Sequence, residues 1–149
     1  MKSIHILLVE DNEGDILLTT EALQEGRIAN TISVVRDGWE SILFLEKKEK
    51  YINAETPDLI LLDVNLPKMN GHEVVKHIKS SDSLRHIPVI MLTTSSSPAD
   101  IFTSYQNHVN CFITKPVDLH DFLKVVSSIE TFFLSIVKLP SNKNNYHVG

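Results

Sequence analysis

One cysteine, five glycines and no apolar run of membrane-crossing length set the first limits on this 149-residue chain. Cys111 has no partner for an internal disulfide, so nothing in the sequence asks for an oxidising compartment. The first apolar stretch, residues 4–9, is interrupted by His5 and runs straight into Glu10 and Asp11, unlike the longer apolar region of a secretory signal. No segment approaches the ~20 apolar residues that cross a bilayer. Positive charge is also in deficit. Fourteen Lys and Arg against nineteen Asp and Glu give a net charge of −5, which argues against a basic nucleic-acid-binding face. None of the glycines falls into Gly-x-Gly-x-x-Gly or a Walker loop, so a nucleotide cradle is unsupported. The seven histidines form no His-x-x-x-His pair, and they read as surface or packing residues. The expectation is a cytoplasmic protein with neither nucleic acid nor membrane as a partner.

What is present is an ordinary globular composition, 42% hydrophobic and 22% charged. The length predicts one domain with one core, burying roughly 70% of its unfolded surface. It leaves no room for a separate DNA-binding output domain. Five short runs rich in Val, Ile and Leu, at 4–9, 31–36, 59–62, 87–93 and 110–114, read as strands. The central ones lack polar alternation, as parallel strands covered on both faces do. Between them lie helix-start signals. Asp37 with Glu40, and Asn70 with Glu73, read as capping boxes. Ser97 followed by Pro98 opens the fourth helix, and Gly26 marks the end of the first. Trp39 is expected to pack, and the charged run 46–50 to be a solvated helix end.

Alternating strands and helices predict an α/β fold with a five-stranded parallel sheet, whose ligands gather at the carboxyl ends of the strands. Those ends carry Glu10 and Asp11, then Asp63, then Thr93 and Thr94, then Lys115 and Pro116. Strand order 2-1-3-4-5 puts Asp63 at the centre of that edge. Carboxylates from separate strands repel unless a cation neutralises them, and Mg²⁺ suits one or two carboxylates with phosphate oxygens. A central carboxylate beside such a cation is a nucleophile for a phosphoryl group, with Lys115 and Thr93 placed to hold its oxygens.

The runs Ile6-Leu7-Leu8-Val9-Glu10-Asp11, Leu59-Ile60-Leu61-Leu62-Asp63-Val64-Asn65-Leu66-Pro67, Ile87 to Thr94, and Phe112-Ile113-Thr114-Lys115-Pro116, with Gly71, resemble a response-regulator receiver domain over roughly residues 3–130. The resemblance implies a flavodoxin-like (βα)5 three-layer sandwich. It implies Asp63 as acceptor of a phosphoryl group from a histidine kinase. Glu10, Asp11, Asp63 and the backbone carbonyl of Asn65 would bind Mg²⁺ (or Mn²⁺), Glu10 mostly through water. Thr93 and Lys115 would bind the phosphoryl oxygens, and the Lys115–Pro116 peptide would be cis. The family often has tyrosine where this chain has Phe112, which lacks a hydroxyl for the switched state and predicts a looser switch. Thr94 stands where a smaller residue is usual and predicts a narrower approach to the phosphoryl group. Asn65 and Ser95 occupy positions that tune the aspartyl-phosphate lifetime.

Residues 118–139 carry apolar side chains at helical spacing and predict a final helix of about 33 Å. A second stripe, Val125, Phe132 and Leu139, runs beside the first and with Phe133 makes a candidate self-association or partner surface. The division expected is a single receiver over 3–139 and a polar tail over 140–149. The reading is a stand-alone regulator resembling the receivers paired with bacterial phytochrome kinases, acting as a phosphoacceptor rather than an enzyme. A homodimer would use the fourth helix, fifth strand and fifth helix. Two alternatives are an unphosphorylated scaffold and an aspartate-nucleophile phosphatase of the haloacid-dehalogenase type. The latter wants a second acid where this chain has Asn65.

Overall fold

A computed structural model describes residues 4–25, 30–93 and 111–115, together with His120 and Lys124. The chain divides into two compact units, Met1–Asp118 and Leu119–Gly149. In the second, His120 and Lys124 are helical and exposed.

In the first unit the order is β1 (Ile4–Val9), α1 (Glu13–Glu25), β2 (Asn30–Val35), α2 (Gly38–Glu46), a 3-10 turn (Glu49–Tyr51), β3 (Leu59–Asp63), α3 (Gly71–Lys79), β4 (Val89–Thr93) and β5 (Cys111–Thr114). All pairings are parallel and the sheet order is β2-β1-β3-β4-β5, as expected from the alternation. This is the flavodoxin-like arrangement, with β3 at its centre. β4 begins two residues later than the apolar run because Pro88 has no N–H for the ladder, although its carbonyl accepts from Ile60 N at 3.0 Å. β3 runs one residue further than expected, so Asp63 is its last paired residue, opposite Leu92.

Successive side chains on a strand face opposite ways. Leu7, Val9, Ile60, Leu62, Val89 and Met91 join Ile42, Phe44, Val74, Val75 and Ile78 of α2 and α3 in one buried cluster. Ile6, Leu8, Leu61, Ile90 and Leu92, at the alternate positions, are equally buried, as are Ala22 and Leu23 of α1. Glu10 and Asp63 stand two residues beyond Leu8 and Leu61, which are ladder partners, and Lys115 stands two beyond Ile113, which shares Leu92 as a ladder partner with Asp63. The strand register therefore carries all three to one corner of the sheet edge.

The Asn70 cap is complete: its side chain accepts from Glu73 N, and the Glu73 carboxylate accepts from Asn70 N. The Asp37 box is only half formed. Asp37 accepts from Glu40 N at 2.8 Å, but the Glu40 carboxylate turns instead to the Tyr51 hydroxyl and the Lys50 ammonium. Trp39 differs from expectation too, being 48% exposed one residue into α2. α2 itself opens on a close backbone approach: a Cβ on Gly38 would lie 2.7 Å from the Met69 carbonyl carbon.

Gly71 opens α3 against the end of β3. Its N–H donates to Val64 O at 2.8 Å, and a Cβ there would lie 2.8 Å from Val64 Cα and closer still to the Asp63 carbonyl oxygen. Backbone of this kind cannot step aside cheaply. Gly71→Ala is therefore expected to cost about 2 kcal/mol, as overpacking typically does. Urea unfolding of the purified variant checks this, and an unchanged midpoint would show that residues 63–64 yield freely. Among the described residues, no helix is long and apolar enough to cross a membrane.

Candidate functional site at the carboxyl edge of the sheet

The chain leaves β1 with Glu10 fully buried. Both its oxygens are used: Oε2 accepts from Asn12 N at 3.2 Å and Oε1 accepts from Lys115 Nζ at 2.8 Å. Asn12 then caps α1, its Oδ1 accepting from Asp15 N at 2.9 Å, a typical use of asparagine at a helix start. A Cβ on Gly14 would come within 3.2 Å of that Oδ1, so a bulkier residue there would press on the cap. The cap sets Asp15 in the first turn of α1, facing the sheet edge.

Asp63 is 4% exposed, and its Oδ1 accepts from Asn65 N at 3.2 Å. Lys115 follows β5 directly and its ammonium reaches three carboxylates: Glu10 Oε1 and Asp15 Oδ2 at 2.8 Å each, and Asp63 Oδ2 at 3.3 Å. Burial by itself would push the Lys115 amine down, but its bonds to Asp15 and Glu10 and the charge of Asp63 outweigh that and hold it above its ordinary range. Glu10 moves the opposite way from a surface carboxyl. Burial, with Asp63 beside it, raises it to about 7 despite the Lys115 contact.

That imbalance describes what the site is short of. Glu10, Asp11 and Asp63 offer carboxylate oxygens within 4.8 Å of one another, and Asp15 adds a fourth acid, against, among the described residues, the ammonium of Lys115. Close-set hard oxygen donors with excess negative charge fit Mg²⁺ or Mn²⁺, which take carboxylates at low coordination and keep water or phosphate in the other positions. Asp11 is exposed at the rim while Glu10 and Asp63 are buried, so the approach is from the Asp11 side.

Thr93 ends β4 fully buried, pairs with Thr114, and accepts from Lys115 N through its carbonyl. Phe112 lies opposite Met91, half-buried against the cluster that α2 and α3 cover. The structure thus brings together Glu10, Asp11, Asp63 and Lys115, with Asn65 hydrogen-bonded to Asp63. Thr94, Ser95, Pro116, Val125, Phe132, Phe133 and Leu139 lie outside the described residues. The sequence reading missed Asp15. Its signal was an asparagine cap with an acid three residues on, just after the strand-end acids.

A buried strand-end aspartate held beside an acid pair and a lysine defines a class. Residues 6–127 match the response regulator receiver domain, and the chain belongs to that family. It is 45% identical to response regulator Rcp1 of Synechocystis sp. over 136 residues, covering 91% of this chain and 92% of the relative. Among solved structures, the phosphorylated cyanobacterial phytochrome response regulator RcpA is 47% identical with a TM-score of 0.77, covering 91% of this chain and 96% of that one. The Mn²⁺-bound form of Rcp1 is 44% identical with a TM-score of 0.75, covering 88% and 94%. The protein is a response regulator of the two-component type.

Proposed function

We propose that this protein takes a phosphoryl group from the phosphohistidine of a sensor histidine kinase of the phytochrome type onto Asp63. The observation that carries this reading is the buried Asp63 at the end of the central strand, facing the ammonium of Lys115. The likeness to Rcp1 and RcpA supports the kinase type.

In the transfer, an Asp63 oxygen attacks phosphorus, the P–N bond to the donor imidazole breaks, and a mixed anhydride forms. The donor nitrogen recovers a proton. Water later attacks the same phosphorus, releasing phosphate and restoring the carboxylate. Lys115 and the Thr93 hydroxyl hold the transferring oxygens, supplying positive charge and a donor where negative charge develops, and Thr94 narrows the approach. Glu10, Asp11, Asp63 and the Asn65 carbonyl would hold Mg²⁺, which would supply positive charge for the phosphoryl oxygens. Phe112 follows Thr93 in the switch.

The receiver spans residues 3–139 with a polar tail over 140–149, in the cytoplasm. Its output is a changed protein surface over the fourth helix, β5 and the final helix, where Val125, Phe132, Phe133 and Leu139 would meet a second copy. The test is incubation with Mg²⁺ and a small phosphodonor or the kinase. An acid-stable, base-labile phosphoryl adduct mapping to Asp63 is expected. No adduct with any donor would favour a scaffold, and steady turnover of an unrelated phosphoester would favour a phosphatase.

A further inference from the structure

The three contacts of Lys115 are unequal. An ammonium has three protons, and charge-assisted N–H···O bonds run to about 2.7–2.9 Å. Two protons meet that standard, at Glu10 and Asp15, while the contact to Asp63 is 3.3 Å. The amine therefore sits on the Glu10–Asp15 side of the cluster, drawn away from the strand-end carboxylate. The two close partners also differ. Glu10 is fully buried and tied through its other oxygen to Asn12 N, whereas the Asp15 side chain is 29% exposed. Asp15 is the partner that water can satisfy if the amine leaves it.

We propose that Asp15 is a positioning residue that competes for the Lys115 ammonium, holding it off Asp63 until a phosphoryl group there draws it across. The proposal rests on Asp63 being the phosphoacceptor. Phosphorylation then exchanges one ion pair for another: Lys115–Asp15 opens as Lys115–phosphoryl forms, and the first turn of α1 loses its tie to the end of β5. No covalent step beyond the transfer itself is involved. Glu10 keeps its bond to the amine, so the exchange is a pivot rather than a release.

Fluoroberyllate with Mg²⁺, a phosphoryl mimic that binds an aspartate, reads the competition without catalysis. Removing a competitor tightens binding. Asp15→Asn is expected to bind fluoroberyllate about five-fold more tightly than wild type, the scale of a partly exposed ion pair. Asp15→Glu, which restores the charge, is expected to return close to wild type. Affinity is read from the ¹⁹F signal of the bound anion, with Mg²⁺ affinity measured separately. A residue that merely shaped α1 would weaken binding when changed. Equal or weaker binding by Asp15→Asn, or no return with Asp15→Glu, would overturn the proposal while wild-type binding left the phosphoacceptor reading standing. Wild-type protein that binds no fluoroberyllate with Mg²⁺ would overturn both.

Discussion

Asp63→Asn protein is expected to carry no phosphoryl adduct under conditions that label the wild type, and to be the more stable of the two without metal. The first half follows from chemistry: an amide oxygen lacks the negative charge that makes a carboxylate nucleophilic, and among the described residues no other group in the cluster stands at the centre of the sheet edge. The second half follows from charge. Wild type buries Asp63 beside Glu10, whose carboxyl is raised to about 7 by burial first and by Asp63 second. Neutralising Asp63 removes that repulsion while Lys115 keeps Glu10 and Asp15 as partners. A gain of about 1 kcal/mol is expected, roughly 3 °C in melting temperature for a chain of this size. Functional carboxylates commonly cost stability in this way. Intact-mass spectrometry and a thermal melt in chelator check the two halves. Labelling of the variant, or a lower melting temperature, would contradict this account.

Lys115→Met is expected to slow phosphorylation about 10²- to 10³-fold, the usual consequence of losing one fixed donor to a developing charge. It is expected to destabilise the metal-free fold as well. Three carboxylates would lose their shared cation, and breaking a buried pair from one side costs ~3–5 kcal/mol. Part of that is recoverable, because a buried acid protonates when its partner goes. Glu10 is already raised to about 7, and without Lys115 it rises further. A raised folded-state pKa gives stability that is present at low pH and lost as pH rises through it. The penalty of Lys115→Met should therefore be large near pH 8 and shrink toward pH 5.5. Urea midpoints across that range decide it, and a penalty independent of pH would show that Glu10 does not take up the proton.

Most of the fold was legible because hydrophobic runs and caps are local signals. The runs marked five strands, Asn70 and Glu73 marked the start of α3, and the strand-end rule led to Glu10, Asp11, Asp63 and Lys115. What escaped was settled by tertiary competition. Glu40 had the right spacing for a reciprocal cap, but Tyr51 and Lys50 are better partners and lie eleven and ten residues on. Trp39 looked like core by composition, yet it is 48% exposed, since an apolar residue type alone does not say which face of a helix it occupies. Asp15 escaped because attention to strand ends passes over the first turn of the helix that follows. Its contact with Lys115 joins residues one hundred apart in sequence, which no local pattern encodes.

The stitching between the loops after β2 and β3 has one further consequence. Gly38 N–H reaches Pro67 O at 3.3 Å, Gly71 N–H reaches Val64 O, and Val64 N–H reaches Leu92 O at 3.0 Å. These amides belong to the backbone rather than to the charged cluster, so nothing that happens at Lys115 needs to break them. In deuterium-labelling experiments they serve as an internal clock. Their exchange is expected to be slow beside that of residues 12–16, so any faster change there can be timed against it.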